Sequence, residues 1–172
     1  KKTIFKFRNI MCDKFRPGHF DGVSTVVKCL FELIKPDMAF FGEKDLQQLK
    51  IIESLVEKDN LEISIKSCPS IRMKNGMSYS SRYLNFSTKQ KKIFQNVAKI
   101  INKYVKIFKI EINIDYLNKL KKELNTIQVN KIDYLEIRDE KKLKTTNIYK
   151  NARLFVAFHI DNIRIIDNFI LY

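Results

Sequence analysis

Phe40-Phe41-Gly42-Glu43-Lys44-Asp45-Leu46-Gln47-Gln48 is the stretch whose reading decides the fold. An apolar run, Met38 to Phe41, stops at Gly42, and an amphipathic pattern opens at Asp45, so a buried strand turns at once into a helix. Such a turn is a ligand site by geometry. In open α/β sheets ligands sit beyond the carboxyl ends of strands, where helix N-terminal N–H groups and the helix dipole favour anions. Lys44 adds a positive charge there, Asp45 offers a helix cap or an acceptor for a sugar hydroxyl, and Gln47 and Gln48 bring two amides. The same residues also read as an ordinary strand–helix joint with surface charges.

On the far side of the turn, the helix runs from Asp45 to about Lys58 with Leu49, Ile52, Leu55 and Val56 as its buried stripe, and Leu61 to Ile65 reads as a second strand. A helix between two strands makes a β-α-β unit, so the sheet is parallel and the crossover right-handed. The segment Cys68 to Arg82 therefore leaves the sheet edge that carries Gly42 to Gln48. It supplies cations at Arg72, Lys74 and Arg82, hydroxyls at Ser78, Ser80 and Ser81, and a tight bend at Gly76. This is the composition of a mobile polyphosphate clamp or, taken alone, of a polar interdomain linker.

Upstream, Thr3 to Phe7 alternates as a short strand, and Met11 to Phe20 is irregular around a Pro17-Gly18 turn. Val23 to Ile34 reads as a helix capped by Asp21 and ended by Pro36, with Val23, Val26, Val27, Leu30, Phe31 and Ile34 as its stripe. Arg16 and His19 precede it; such a pair could hold an anion, but a lone histidine is more often a hydrogen-bonding member of the fold. Downstream, Ser87-Thr88-Lys89-Gln90 fits a capping box that opens a helix to about Phe108. One face of that helix holds Ile93, Val97, Ile100, Tyr104 and Phe108, and another is lined by Lys92, Lys99, Lys103 and Lys106. Asp115 to about Leu124 is a further helix. Lys131 to Ile137, Arg153 to Ile160 and Ile163 to Ile166 read as strands, the last two joined at Asp161-Asn162. From about Ser87 onward the chain is a small α+β domain.

The 172 residues, 45% of them hydrophobic, suffice for one large domain or one and a half small ones. The longest apolar runs fall short of the ~20 residues a membrane span needs, and Lys1-Lys2 does not open a signal sequence, so the expectation is a cytoplasmic protein with no membrane partner. Cys12, Cys29 and Cys68 are odd in number, far apart and without a Cys-x-x-Cys pair, which argues against disulfides and zinc. A net charge of +14 and a pI near 9.7 raise nucleic acid as a partner. Against it, Lys, Asn and Ile are abundant everywhere, as an AT-rich genome produces without selection for binding, and nucleic acid is the weaker reading.

Five motifs, Arg16-Pro-Gly-His-Phe-Asp-Gly-Val23, Phe41-Gly-Glu-Lys-Asp-Leu-Gln-Gln48, Ser80-Ser-Arg82, Ile132-Asp-Tyr-Leu-Glu-Ile-Arg-Asp139 and Arg164-Ile-Ile-Asp-Asn168, occur in an order that resembles the pantothenate synthetase (pantoate–β-alanine ligase) family. The resemblance implies an α/β fold, an incomplete Rossmann-like nucleotidyltransferase domain over residues 1–82, a linker at 83–86, and a C-terminal lid domain over 87–172. It implies ATP-dependent joining of pantoate to β-alanine through pantoyl adenylate, with AMP and pyrophosphate released, ATP as a substrate accompanied by Mg2+, and a homodimer for the complete enzyme. By position, Lys44 would contact ATP phosphates, Gly42 and Asp45 the ribose, and Ile71 the adenine through its backbone. Ser80, Ser81 and Arg82 would stabilise the reacting phosphorus and departing pyrophosphate, and Gln48 and Val27 would meet pantoate. Lys44, Ser80, Ser81 and Arg82 are thus the expected catalytic residues, and no residue is expected as a direct metal ligand.

Three departures accompany the resemblance. The family's His-x-Gly-His signature, early strands, second pantoate glutamine and magnesium-binding acids all lie before the first residue here, so the chain is expected to be the C-terminal two thirds or so of a longer protein, or an inactive remnant. Tyr79 stands where the family usually has Met. Tyr83-Leu84 follow Arg82 directly, which makes the clamp about two residues shorter than the family's pattern.

Overall fold

The computed structural model describes residues 6–172, and the chain packs as two units, 1–69 and 70–172. In the first, helices α1 (Met11–Phe15) and α2 (His19–Ile34) precede strand β1 (Met38–Gly42), a 3-10 turn (Glu43–Asp45), α3 (Leu46–Lys58) and strand β2 (Ser64–Cys68). β1 and β2 pair in parallel, from Met38 opposite Ser64 to Gly42 opposite Cys68, as a β-α-β connection requires. α3 packs on β1 and α2 and buries Leu46, Leu49, Ile51, Ile52 and Leu55.

Several boundaries differ from the expected ones for identifiable reasons. β2 begins at Ser64, not Leu61, because Leu61 closes the preceding helix: Asn60 turns to φ 49°, and the Leu61 N–H donates to the Val56 carbonyl at 3.0 Å, a left-handed helix exit. α2 begins at His19 because Gly18, at φ 78°, makes the turn into it. Asp21, expected as the cap, instead accepts two hydrogen bonds from the Arg8 guanidinium at 2.7 and 3.1 Å. α1 forms inside the segment expected to be irregular. Of the strand expected over Thr3–Phe7, Thr3, Ile4 and Phe5 lie outside the described residues, and Phe7 turns at φ 64°.

The apolar stripe of α2 is only partly covered. Phe31 is buried, whereas Val26, Leu30 and Ile34 are exposed, Leu33 is 81% exposed and Phe40 on β1 67% exposed. Apolar side chains at helical spacing usually mark a surface that packs on something. No described residue of this unit covers them.

In the second unit, α4 (Ser81–Leu84), α5 (Thr88–Phe108) and α6 (Ile114–Asn125) lead into an antiparallel sheet of β3 (Lys131–Asp139), β4 (Ala152–Ile160) and β5 (Ile163–Ile170), ordered β3-β4-β5. The capping box forms in full: the Ser87 N–H donates to Gln90 Oε1 at 2.9 Å, and the Gln90 N–H to Ser87 Oγ at 3.3 Å. β4 is the central strand and almost wholly buried. Its Leu154, Val156 and Phe158 share a core with Val97, Ile101 and Phe108 of α5 and Leu120 and Leu124 of α6. β5 runs on to Ile170, past the Ile166 expected, because Asp167 and Asn168 stay in register with Val156 and Phe155. The packing unit that begins at Ser70 takes in Arg72 and Ser78, which bond to Asp167 and Asn168 of β5.

Asp133 sits at a bulge in β3, between Ile132 and Tyr134, and its buried carboxylate meets Arg164 at 2.7 Å, His159 at 3.2 Å and Lys131 at 3.3 Å. Burial pushes the carboxyl up, but the hydrogen bonds from Arg164, His159 and Lys131 outweigh it and hold the group below the ordinary aspartate value. A depressed folded-state value stabilises the fold above the unfolded-state value of about 4 and loses that contribution as pH falls through the folded one. Acid unfolding followed by circular dichroism should therefore show a shallower stability loss below about pH 4 for Asp133→Asn than for the unsubstituted protein; identical acid limbs would contradict the assignment. In the first unit, Leu55→Ala should cost about 2–5 kcal/mol in urea denaturation, while Leu33→Ser, on the uncovered face, should stay within about 0.5 kcal/mol.

Candidate functional site

The strand-to-helix turn in the first unit carries one group of expected residues. β1 ends at Gly42, whose φ of −72° and ψ of 134° suit any residue and whose missing side chain would meet nothing within 4 Å. Neither conformation nor packing in the described residues demands glycine there. Lys44 is half-buried on the 3-10 turn, and the exposed Asp45 occupies the N-cap of α3 without a side-chain bond to the helix. The cap expected of Asp45 is thus not made. α3 presents its first N–H groups at this end, where the backbone dipole favours negative charge.

The two glutamines separate in role. Gln47 is buried and fully engaged: its amide nitrogen donates to the Phe7 and Ile10 carbonyls, both at 3.0 Å, and its oxygen accepts from the Cys12 N–H at 2.9 Å. It fastens the chain before α1 and offers no amide to a ligand. Gln48 is half-buried and makes no side-chain hydrogen bond among the described residues. Val27 is half-buried on α2. Arg16 and His19 meet at 2.7 Å, Nη1 to Nε2, so the histidine is part of the fold's hydrogen bonding. Arg8, between Asp21 and Asp13, has its guanidinium pKa raised further, chiefly by the hydrogen bond to Asp21.

The second unit carries the other group. The segment read as a mobile clamp is instead a short hairpin anchored at several points. Arg72 bridges to Ser78, the Met73 N–H donates to the Met77 carbonyl at 2.8 Å, and the Tyr79 N–H donates to the Ile71 carbonyl at 3.0 Å. Gly76, at φ 83°, lies against Asn102, whose Oδ1 would stand 2.7 Å from an added Cβ; here glycine is required. Met77 is 1% exposed. Arg72 and Ser78, expected to face phosphate, are committed to Asp167 instead.

Beyond the hairpin, Ser80 caps α4, its hydroxyl accepting from the Arg82 N–H at 3.3 Å. Ser81 and Arg82 are exposed. Arg82 Nη1 donates to the Arg164 carbonyl at 2.7 Å, and the two arginines border a hollow of about 340 Å3 with Asn85, Asn162 and Ile163. Ile71 and Tyr79 have exposed side chains. Tyr83, directly after Arg82, packs on Phe86 and Phe94 at ring distances of 5.6 and 5.2 Å. A larger hollow, about 530 Å3, lies between Ile114 and Leu117 of α6 and Ile137 of β3 and contains none of the expected residues.

Chemically, each group offers main-chain N–H groups or hydroxyls together with a cation, donors suited to phosphate oxygens. No group of three or more His, Cys, Asp or Glu side chains among the described residues gathers as a metal-ion site. Gly42, Lys44, Asp45 and Gln48 run from the end of β1 through the 3-10 turn into the start of α3, and Ile71, Ser80, Ser81 and Arg82 stand on one hairpin and its exit. Sequence reasoning missed Asp167 and Asp133 as anchors. The signal for Asp167 was present in Ile165-Ile166-Asp167-Asn168-Phe169, a carboxylate inside an apolar strand, which implies a buried, paired charge.

The sequence profile of the family described as Pantoate-beta-alanine ligase matches residues 2–170. The pantothenate synthetase of Christiangramia forsetii is 40% identical over 166 residues, covering 95% of this chain and 59% of the relative. That of Carboxydothermus hydrogenoformans is 41% identical over 169 residues, covering 94% and 58%. Among solved structures, pantothenate synthetase from Thermus thermophilus matches with a TM-score of 0.87 at 28% identity, over 99% of this chain and 64% of that one. The Francisella tularensis pantoate-beta-alanine ligase, complexed with beta-gamma ATP and beta-alanine, matches with a TM-score of 0.79 at 32% identity, over 96% and 55%. The chain thus spans about six tenths of the length of the curated relatives it matches. With a parallel β-α-β unit, an antiparallel three-stranded unit and a family profile running almost end to end, this chain belongs to the pantoate-beta-alanine ligase family.

Proposed function

We propose that the protein carrying this chain condenses pantoate with β-alanine to form pantothenate, using ATP and releasing AMP and pyrophosphate. The observation that carries the reading is the family match over residues 2–170. In the first step a pantoate carboxylate oxygen bonds to the α-phosphorus of ATP, and the bond to the bridging oxygen breaks, so pyrophosphate leaves with the electron pair. In the second, the β-alanine amine attacks the acyl carbon of the adenylate; the C–N bond forms, the C–O bond to AMP breaks, and the amine gives up a proton.

Both steps gather negative charge on phosphate oxygens, and fixed cations and hydroxyls stabilise it. Lys44 takes this part on the 3-10 turn, and Ser80, Ser81 and Arg82 take it after the hairpin. Gly42 admits the ribose: a glycine that neither its backbone angle nor its packing requires is what close approach of a ligand calls for. Asp45, exposed and not bonded to its helix, accepts from a ribose hydroxyl. Ile71 gives the adenine main-chain contacts, and Gln48 and Val27 meet pantoate. Mg2+ is expected with ATP; no group of three or more His, Cys, Asp or Glu side chains gathers for it among the described residues, and no step here is routed through it.

The proposal includes a homodimer. The exposed Val26, Leu30, Leu33 and Ile34 on α2 support a further polypeptide surface against that face, from the same protein or a second copy. Cytoplasmic action is part of the reading too; no helix among the described residues is long and apolar enough to cross a membrane.

Pyrophosphate release from ATP, dependent on pantoate, tests the reading. Lys44→Ala should reduce its rate by about 10²-fold or more with an unchanged melting temperature. Normal turnover by that variant would remove Lys44 from the site. The competing reading, a catalytically inactive remnant, requires no release from the unsubstituted protein.

A further inference from the structure

Asp167 lies mid-strand in β5 with its side chain completely buried. It gathers an unusual number of donors. Oδ2 accepts the Ser78 N–H at 2.7 Å, and Oδ1 accepts the Ser78 hydroxyl at 2.6 Å and the Asn168 N–H at 2.8 Å. Arg72 Nη1 reaches both oxygens, at 3.3 and 3.4 Å. The Arg72 guanidinium is held in turn by the Asn168 carbonyl at 2.6 Å and lies 4.7 Å over the Phe169 ring. One carboxylate thereby fixes both strands of the hairpin at its base.

Stability alone is a weak reason for this arrangement, because well-packed apolar residues often replace a buried ion pair at no loss. What the carboxylate does is set the position of two neighbours. Ile71 precedes Arg72, and its carbonyl accepts from the N–H of Tyr79, which follows Ser78. Ser80, Ser81 and Arg82 come next in the chain. Of the residues of the second unit assigned above to ATP, Ile71 adjoins Arg72, and Ser80, Ser81 and Arg82 begin two residues after Ser78, so all follow directly from the ends of the hairpin that Asp167 holds.

We infer that Asp167 is a positioning residue for the nucleotide: it fixes the hairpin so that the Ile71 main chain and the Ser80–Arg82 segment meet ATP in one geometry. The inference rests on the ATP site proposed above. Asp167 itself touches no substrate; it acts through Ser78 and Arg72. Its effect falls on ATP and not on pantoate, whose assigned contacts, Gln48 and Val27, lie in the other unit.

The test is steady-state kinetics of the protein carrying this chain, with Asp167→Asn, Ser78→Ala and the double variant, varying ATP and pantoate separately. Asp167→Asn keeps the shape but removes the charge that Arg72 faces and places an amide donor where acceptors are needed. KM for ATP should rise about tenfold with KM for pantoate unchanged, since small misplacements of a binding group are amplified in catalysis. Ser78→Ala should shift the same constant in the same direction by less, and the double variant should be no worse than Asp167→Asn alone, as for residues acting through one contact. Ser78→Ala, which deletes a single hydroxyl, keeps the test informative if Asp167→Asn does not fold. Equal shifts in both KM values, or lower stability with unchanged ATP dependence in an active protein, would overturn this inference alone. An unsubstituted protein with no ATP-dependent turnover would overturn the functional reading and this inference with it.

Discussion

The parallel pairing of β1 with β2 is the constraint on which the first unit depends. Parallel neighbours cannot be joined by a tight turn, so the chain must cross over, and α3 is that crossover. The register then puts Gly42 opposite Cys68, which brings both strands to their carboxyl ends side by side. The 3-10 turn with Lys44 leaves from one of those ends, and the chain toward the hairpin leaves from the other. The pleat does the rest: Ala39 and Phe41 point to the half-buried face, while Met38 and Phe40 point to the uncovered one. A one-residue slip would exchange those faces.

The second unit rests on different physics. Its core is ordinary, three antiparallel strands under two amphipathic helices, but two buried carboxylates stand in the sheet. Asp133 at the β3 bulge fixes Arg164, whose carbonyl in turn receives Arg82. Asp167 on β5 fixes Arg72 and Ser78. Both charges are compensated by several donors, as burial of a carboxylate requires. In each case the chain it holds in place leads to residues assigned to ATP. Asp167 anchors the hairpin directly, and Asp133 reaches the Arg82 segment after it only through Arg164.

Where structure followed from local pattern, the sequence was legible. The capping box at Ser87 and Gln90, the α5 face through Ile93, Val97, Tyr104 and Phe108, the β-α-β unit and the β4–β5 hairpin at Asp161 all depend on residues near each other in the chain. The five motifs made the family and the turn at Gly42–Gln48 legible as well. What escaped depends on partners far apart. Gln47 reads as a ligand amide until Cys12, 35 positions away, is seen donating to it. Arg72 and Ser78 read as phosphate donors until Asp167, 95 and 89 positions on, claims them. Leu61 and Ile63 alternate like a strand, yet Leu61 closes the helix and β2 begins only at Ser64. The α2 stripe was correct as a pattern, but periodicity states only that a face is apolar, not what lies against it.

The proposed reaction requires that a pantoate oxygen attack phosphorus before β-alanine attacks carbon. Mass spectrometry of the nucleotide product tests it most directly, with pantoate labelled by oxygen-18 in its carboxylate and the complete protein supplied with ATP and β-alanine. AMP should carry one labelled oxygen, because the bond broken in the second step leaves that oxygen on phosphorus. ADP as the nucleotide product, with the label in inorganic phosphate, would contradict it.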